Sequence, residues 1–297
     1  MSAIDGQMLA PKAPSGERGG VQSYKTDYKP TWCPGCGDYG VLAALYKALA
    51  ALELPSEDVA LISGIGCSSR IPGFVNVYGF NGVHGRGLPM AMGVKLARPE
   101  LTVIMAGGDG DGFAIGGGHF PHTARKNVDL TYIVMDNRIY GLTKGQVAPT
   151  SSLSFETGTT PYGAIEEPVN PIAFALIYGA TFVARGFSSK QKELTDLIVK
   201  AIRHKGFSFL HVLSPCPTFN KADTFNAYAD QIADIPASHD AGDRQKALSL
   251  ALTEEKLHLG LFYQVTRPTF QDRWGEVVER SKEGGPVTVE DLVGRYC

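Results

Sequence analysis

Long apolar runs are missing from this chain of 297 residues. No stretch approaches the ~20 uninterrupted apolar residues of a membrane-spanning helix, so no membrane partner is expected. An excess of charge is missing too: 28 Lys and Arg stand against 30 Asp and Glu, a net charge of -2, with a pI near 6.4. That withholds the basic footprint of a nucleic-acid binder. The opening, Met1 to Val21, has no apolar core of the kind a secretory signal carries, and the expected compartment is the cytoplasm. Cysteine is scarce and odd in number, at five. In a reducing compartment such thiols point to metal binding or catalysis before disulfides. Repeats and low-complexity tracts are also absent. With 43% hydrophobic residues and a mean hydropathy of -0.06, the composition is that of a globular protein with room for about two domains.

Glycine is what the chain has in excess, at 35 residues, against an average near 7%. Seventeen of them fall between Gly64 and Gly145. Such a concentration means that backbone comes close to something or takes positive φ, so the chemistry is expected in this window.

The elements follow from apolar patterning and punctuation. Residues 1–29, broken by Pro11, Pro14, Gly16, Gly19 and Gly20, read as an extended lead. Asp38 to Leu52 is rich in Ala and Leu and reads as a buried helix. Strands are expected at 59–63, 102–106, 130–135, 181–185 and 207–213, with helices at 88–96, 116–126, 171–178 and 190–204. Ser188, with Gln191 three residues on, predicts a capping box for the last of these. Apolar strands alternating with helices indicate an α/β fold, a mostly parallel sheet covered on both faces. Residues 30–222 form the expected main domain, and 223–297 an arm that packs on it or on a partner.

Ligands of such sheets sit at the carboxyl ends of the strands. Three Gly-rich or Asp-rich segments, 64–70, 107–112 and 136–145, each follow a predicted strand there. In Gly107-Gly108-Asp109-Gly110-Asp111-Gly112 and Asp136-Asn137-Arg138-Ile139-Tyr140-Gly141, a carboxylate, an amide oxygen and a backbone carbonyl from adjacent strand ends supply the hard oxygen ligands of a divalent cation. Glycine lets backbone amides approach phosphate oxygens. Asp111 is the rival to Asp109. Each half alone is also readable as a plain tight turn. Cys33-Pro34-Gly35-Cys36 has ligand-type spacing, and Cys67 and Cys216 fall in strand-end loops; four thiolates at one point suit a 4Fe-4S cluster or a structural zinc. His119 and His122, three apart on a predicted helix, offer a weaker metal pair.

The GDG segment with Asn137 downstream resembles the thiamine diphosphate enzymes. With Trp32-Cys33-Pro34-Gly35-Cys36-Gly37, Gly66-Cys67-Ser68-Ser69, His84-Gly85-Arg86-Gly87-Leu88-Pro89 and Tyr140 to Gln146, the stretch from Pro30 to Asn220 resembles the β subunit of 2-oxoacid:ferredoxin oxidoreductases. The resemblance implies that Asp109, Asn137 and the Ile139 carbonyl hold Mg²⁺. It implies that Cys33, Cys36, Cys67 and Cys216 hold a 4Fe-4S cluster. It also places Gly66, Ser68, Ser69, His84, Gly108, Gly110, Asp111, Gly141 and Leu142 against the thiamine diphosphate, with His84 as the catalytic candidate. Cys297 has no place in the pattern.

What the resemblance further implies is reversible, CoA-dependent oxidative decarboxylation of a 2-oxoacid, with electrons leaving to ferredoxin. The glutamate that activates thiamine belongs to the family's α subunit, so an (αβ)₂ assembly is expected. Lys144 and Arg70 near the substrate favour a second carboxylate, hence 2-oxoglutarate giving succinyl-CoA, with pyruvate or a broad range of 2-oxoacids as alternatives. Two other classes remain open: a non-redox thiamine decarboxylase subunit with incidental cysteines, and a zinc-stabilised binding subunit.

Overall fold

The computed structural model describes residues 20–253, 255–283, 285 and 287–296; most of the N-terminal lead and Cys297 lie outside them. Helix α1 (Asp38–Leu52) precedes strands β1 (Val59–Ser63) and β2 (Tyr78–Asn81). Then come α2 (Gly87–Ala97), β3 (Thr102–Gly108), α3 (Asp109–Phe113), α4 (Phe120–Lys126) and β4 (Leu130–Asp136). After a long loop follow α5 (Pro171–Ile177), β5 (Phe182–Phe187), α6 (Gln191–Arg203) and β6 (Phe207–Leu213). The C-terminal part adds α7 (Phe225–Gln231), β7 (Ile232–Asp234), α8 (Arg244–Ala251), β8 (Leu257–Gln264), α9 (Phe270–Glu283) and α10 (Val289–Gly294).

The strands make one sheet in the order β2-β1-β3-β4-β6-β5-β8-β7. Every pairing is parallel except β5 with β8. Side chains of a strand alternate between faces, and the core obeys this. Ile104, Ala106, Leu210 and Val212 face the layer of α1 and α6, while Val103, Met105, Phe207 and Phe209 face α2, α4, α5 and α8. Helix α6 buries Leu194, Leu197, Ile198 and Ala201, the spacing of a helix with one apolar stripe.

Four local expectations need correction. The lead is not extended throughout: Val21–Tyr24 is a 3₁₀ turn that buries Tyr24, whose hydroxyl donates to the Leu54 carbonyl at 2.5 Å. The capping box at Ser188 does not form. Lys190 is the N-cap, without a side-chain bond, the Ser188 amide is engaged by the Leu213 carbonyl at 3.0 Å and so is closed to Gln191, and the Ser188 hydroxyl is buried without a partner. The predicted helix at 116–126 starts as a 3₁₀ turn, Ile115–Gly118, before α4. Segment 107–112, expected as a loop after the strand 102–106, is not one, since β3 runs through Gly108 and α3 begins at Asp109.

Candidate functional site

The chain leaves β1 for the outer β2, then returns past β1 to β3. That reversal opens a crevice beyond the carboxyl ends of the strands. It holds a cavity of about 480 Å³ lined by Gly66, Cys67, Ser68, His84, Gly108, Asp109, Gly110, Asp111, Asn137, Ile139, Gly141 and Leu142, joined by Tyr140 and Gln146. This is within the range of small-molecule and cofactor pockets. Of the residues expected against the cofactor or substrate, three do not line it. Ser69 is buried beneath, its carbonyl taking bonds from Ser63 Oγ at 2.7 Å and Asn81 Nδ2 at 2.6 Å. Arg70 and Lys144 are exposed outside it.

The two aspartates of the Gly-rich segment have different surroundings. Asp111 Oδ1 accepts the Ile65 amide at 2.9 Å and the Gly85 amide at 2.8 Å, and His84 Nδ1 stands 3.1 Å away without the alignment of a hydrogen bond. Asp111 thereby ties two loops to the start of α3. Gly64 has to be glycine, because a Cβ there would overlap the Asp111 carboxylate. Asp109 is only 2% exposed, and its Oδ2 accepts from Thr150 Oγ1 at 2.7 Å.

That threonine also reaches Asp136 Oδ1, at 2.8 Å. The other oxygen of Asp136 meets His211 Nε2 at 2.8 Å, and His211 Nδ1 accepts from Arg185 Nε at 3.0 Å. Burial pushes Asp136 up, but His211, Arg138 and Thr150 outweigh it and hold the carboxyl below its usual range. Burial and then the charge of Asp136 raise Asp109 well above that range. A hydroxyl has one proton to give, so Thr150 cannot donate to both carboxylates. Asp109, whose charge needs a counter-charge here, lines the cavity beside the Asn137 amide and the Ile139 backbone, a donor set suited to a hard divalent cation. Sequence reasoning missed Thr150, His211 and Arg185, which have no local motif and meet only through the sheet.

The cysteine segments also converge. Trp32 Nε1 donates to the Cys67 carbonyl at 2.6 Å, and the Gly37 amide to the Pro215 carbonyl at 3.0 Å. A Cβ at Gly141 would lie 3.6 Å from Cys67 Sγ and 3.7 Å from Cys216 Sγ. Burial, then the charge of Asp38, pushes Cys36 far up, and Cys67 to about 11. Thiolates so disfavoured need a cationic centre to exist. Among the described residues, no three His, Cys, Asp or Glu side chains close on a point that would take one metal ion. His119 lies against the Arg86 guanidinium, a setting that repels a cation.

Comparison with known proteins bears on this site directly. Residues 64–212 match the family described as thiamine pyrophosphate enzyme, C-terminal TPP binding domain, and residues 216–279 match the family of the C-terminal part of the pyruvate ferredoxin oxidoreductase beta chain. The chain is 44% identical to a 2-oxoacid:ferredoxin oxidoreductase subunit beta of Saccharolobus solfataricus, across 88% of this chain and 95% of that one. It is 38% identical to the 2-oxoglutarate synthase subunit KorB of Methanocaldococcus jannaschii, across 84% and 93%. Among solved structures, a chain of 2-oxoglutarate:ferredoxin oxidoreductase from Magnetococcus marinus, with 2-oxoglutarate, coenzyme A and succinyl-CoA bound, superposes with a TM-score of 0.88 at 46% identity, over 97% of this chain and 98% of that one.

Proposed function

This chain belongs to the beta subunits of 2-oxoacid:ferredoxin oxidoreductases, and from that premise we propose that its own substrate is 2-oxoglutarate, taken with coenzyme A to succinyl-CoA and CO₂. The observation that carries the substrate choice is the likeness, at 46% identity over almost the whole chain, to a protein solved with that acid and both thioester partners. Lys144 and Arg70 support it less directly. Both are exposed and stand outside the cavity of this chain, where they can meet the distal carboxylate only at the mouth.

The cavity is the proposed seat of thiamine diphosphate. Asp109, Asn137 and the Ile139 carbonyl would hold Mg²⁺ against the diphosphate, and the amides around Gly108 and Gly110 lie beside the same space. When bound, the thiazolium ring supplies the electron sink that decarboxylation of a 2-oxoacid needs. The protein's part is to orient and to exclude water. Asp111 fixes loops 64–66 and 82–86, and the Tyr140 hydroxyl donates to the Gly110 carbonyl at 3.3 Å, closing one wall. His84 is the only imidazole lining the cavity among the described residues, in position to donate to a phosphate or substrate oxygen. Cys33, Cys36, Cys67 and Cys216 are the proposed ligands of a 4Fe-4S cluster through which electrons pass to ferredoxin.

A partner subunit is part of this reading, as the beta-subunit relatives imply; the assembly proposed is (αβ)₂. No helix among the described residues is long and apolar enough to cross a membrane. The test is anaerobic co-purification with the partner, analysis for iron, sulfide and thiamine, and CoA-dependent ferredoxin reduction with 2-oxoglutarate and with pyruvate. A kcat/KM for 2-oxoglutarate well above that for pyruvate is expected. The reverse order would overturn the substrate, and absence of iron and sulfide would overturn the cluster.

A further inference from the structure

One buried acid is used neither by the cavity nor by the metal loop. Asp38 opens α1 and is 1% exposed. Its position is fixed from both sides of the cysteine cluster. It follows Cys36 by two residues, and Ser214, two before Cys216, donates from Oγ to Asp38 Oδ1 at 2.6 Å. The neighbouring Gly37 amide bonds the Pro215 carbonyl, so the start of α1 and the Cys216 segment are clamped together. Gly37 leaves no space between them, since a Cβ there would stand 2.6 Å from Ser214 Oγ. The second carboxylate oxygen, Oδ2, is buried with no hydrogen-bond partner.

This is an expensive arrangement. A buried carboxylate ordinarily has a cation beside it, yet none pairs with Asp38 among the described residues, and what faces it is hydroxyl and thiol, from Ser214, Ser68 and Cys36. The nearest basic influence on the cysteines is Arg70, exposed and acting on Cys67. Asp38 weighs in turn on the sulfurs of Cys36 and Cys67. Mere scaffolding would be served as well by Asn, which also accepts from Ser214 and carries no charge into the core.

We infer that Asp38 is the electrostatic control of the iron–sulfur cluster, a buried carboxylate between the Cys36, Cys67 and Cys216 segments that holds its reduction potential down. The inference rests on the proposed cluster ligation. Its physics is that potential follows the net charge, hydrogen bonding and exposure of the site. The cluster gains one electron on reduction, and that electron has to be placed beside an anion in a medium that screens poorly. A carboxylate that faces hydroxyl and thiol keeps more of its charge in play than one neutralised by a cation. The consequence is a cluster that, once reduced by the 2-oxoacid, gives its electron onward readily.

The experiment is a redox titration followed by electron paramagnetic resonance. It uses the complete, anaerobically purified enzyme with its partner subunit, at about pH 8, as wild type, Asp38→Asn and Asp38→Glu, with iron and sulfide counted in each. Asp38→Asn is expected to keep its iron and to titrate at higher potential, by about tenfold in the reduction equilibrium, which for one electron is about 59 mV. Asp38→Glu keeps the charge and is expected to stay near the wild-type potential. An unchanged potential in iron-replete Asp38→Asn would overturn the inference, as would equal shifts in both variants, or loss of iron from Asp38→Asn, either of which makes Asp38 a scaffold. Those three outcomes leave the cluster assignment standing; a wild type without iron and sulfide removes both.

Discussion

Two aspartates separated by one glycine look interchangeable in the sequence, and their side chains settle different tasks. Asp111 spends one oxygen on two backbone amides, whereas Asp109 takes the Thr150 hydroxyl on one oxygen and faces an adjacent acid that burial makes costly. Asp109→Asn is therefore expected to weaken Mg²⁺ and thiamine diphosphate together, since the metal bridges protein to diphosphate. Asp111→Asn acts through its loops: it should lower the melting temperature of the unliganded chain more than Asp109→Asn does, while costing less Mg²⁺ affinity. Calorimetric titration and thermal melts of both variants check this, and a larger loss of Mg²⁺ affinity in Asp111→Asn would reverse the assignment. The GDG segment, Asn137 and the paired cysteines were legible because their chemistry is compressed into short spacings. Thr150, His211, Arg185 and Asp38 were not, since each acts on a residue brought near only by the sheet or by the clamp between α1 and Ser214.

Elements with a buried stripe or a continuous apolar run announced themselves, and those without one did not. Strands β1, β4 and β6 are buried at every position and fall where the apolar runs predict. Strand β2 is an exposed edge along its whole length, so Tyr78-Gly79-Phe80-Asn81 has no core-facing alternation to betray it. Helix α9 buries none of its residues, leaving nothing to separate it from a polar tail. The junction of β3 and β4 shows what elements do for the site. Both strand ends carry an acid, and Thr150, from the loop after β4, spans the two. Thr150→Val keeps the shape and removes the hydroxyl, leaving buried acceptors unserved at a cost of roughly 1–3 kcal/mol. Thiamine diphosphate affinity should fall accordingly in a binding titration, and Thr150→Ser should restore most of it. Equal losses in Val and Ser variants would assign Thr150 to packing alone.

For the molecule as a whole, burial writes a pH dependence into stability. His204 lies in a closed setting against Thr181 Oγ1 at 2.8 Å, and burial holds its imidazole below the ordinary value of 6.5, against a smaller opposing pull from Asp129. Below about pH 6.5 the unfolded chain binds a proton that the folded chain refuses, so this contribution is intact at higher pH and lost as pH falls. The melting temperature of wild type relative to His204→Gln should drop between pH 8 and pH 5.5; a constant gap across that range would dismiss His204 as a source of acid lability.

The same scale decides whether the chain works alone. Two apolar side chains that line the cavity, Ile65 and Leu142, are 43% and 48% exposed, and Ile115, packed against Gly85, and Val83, next to His84, are 54% and 70% exposed. A second cavity, of about 470 Å³, shares Gln146 and Val147 with the first and carries Tyr162 and Ile165, which are 99% and 91% exposed. Exposed apolar side chains gathered beside a cavity mark surfaces that another protein covers. Covering them would also shed water from the cavity, where dry surroundings strengthen every charge interaction. No acidic side chain other than Asp109 and Asp111 lines the cavity among the described residues; with Asp111 holding its loops and Asp109 proposed for the metal, the proposed function assigns the proton chemistry that activates thiamine to a covering subunit. The chain alone, reconstituted with thiamine diphosphate, Mg²⁺ and iron–sulfur, should therefore bind cofactor yet fail to reduce ferredoxin with 2-oxoglutarate and coenzyme A. Adding the partner subunit should restore turnover, with protection of the 153–165 loop and of Val83 from hydrogen exchange. Full turnover by the isolated chain would show that the site is complete in itself.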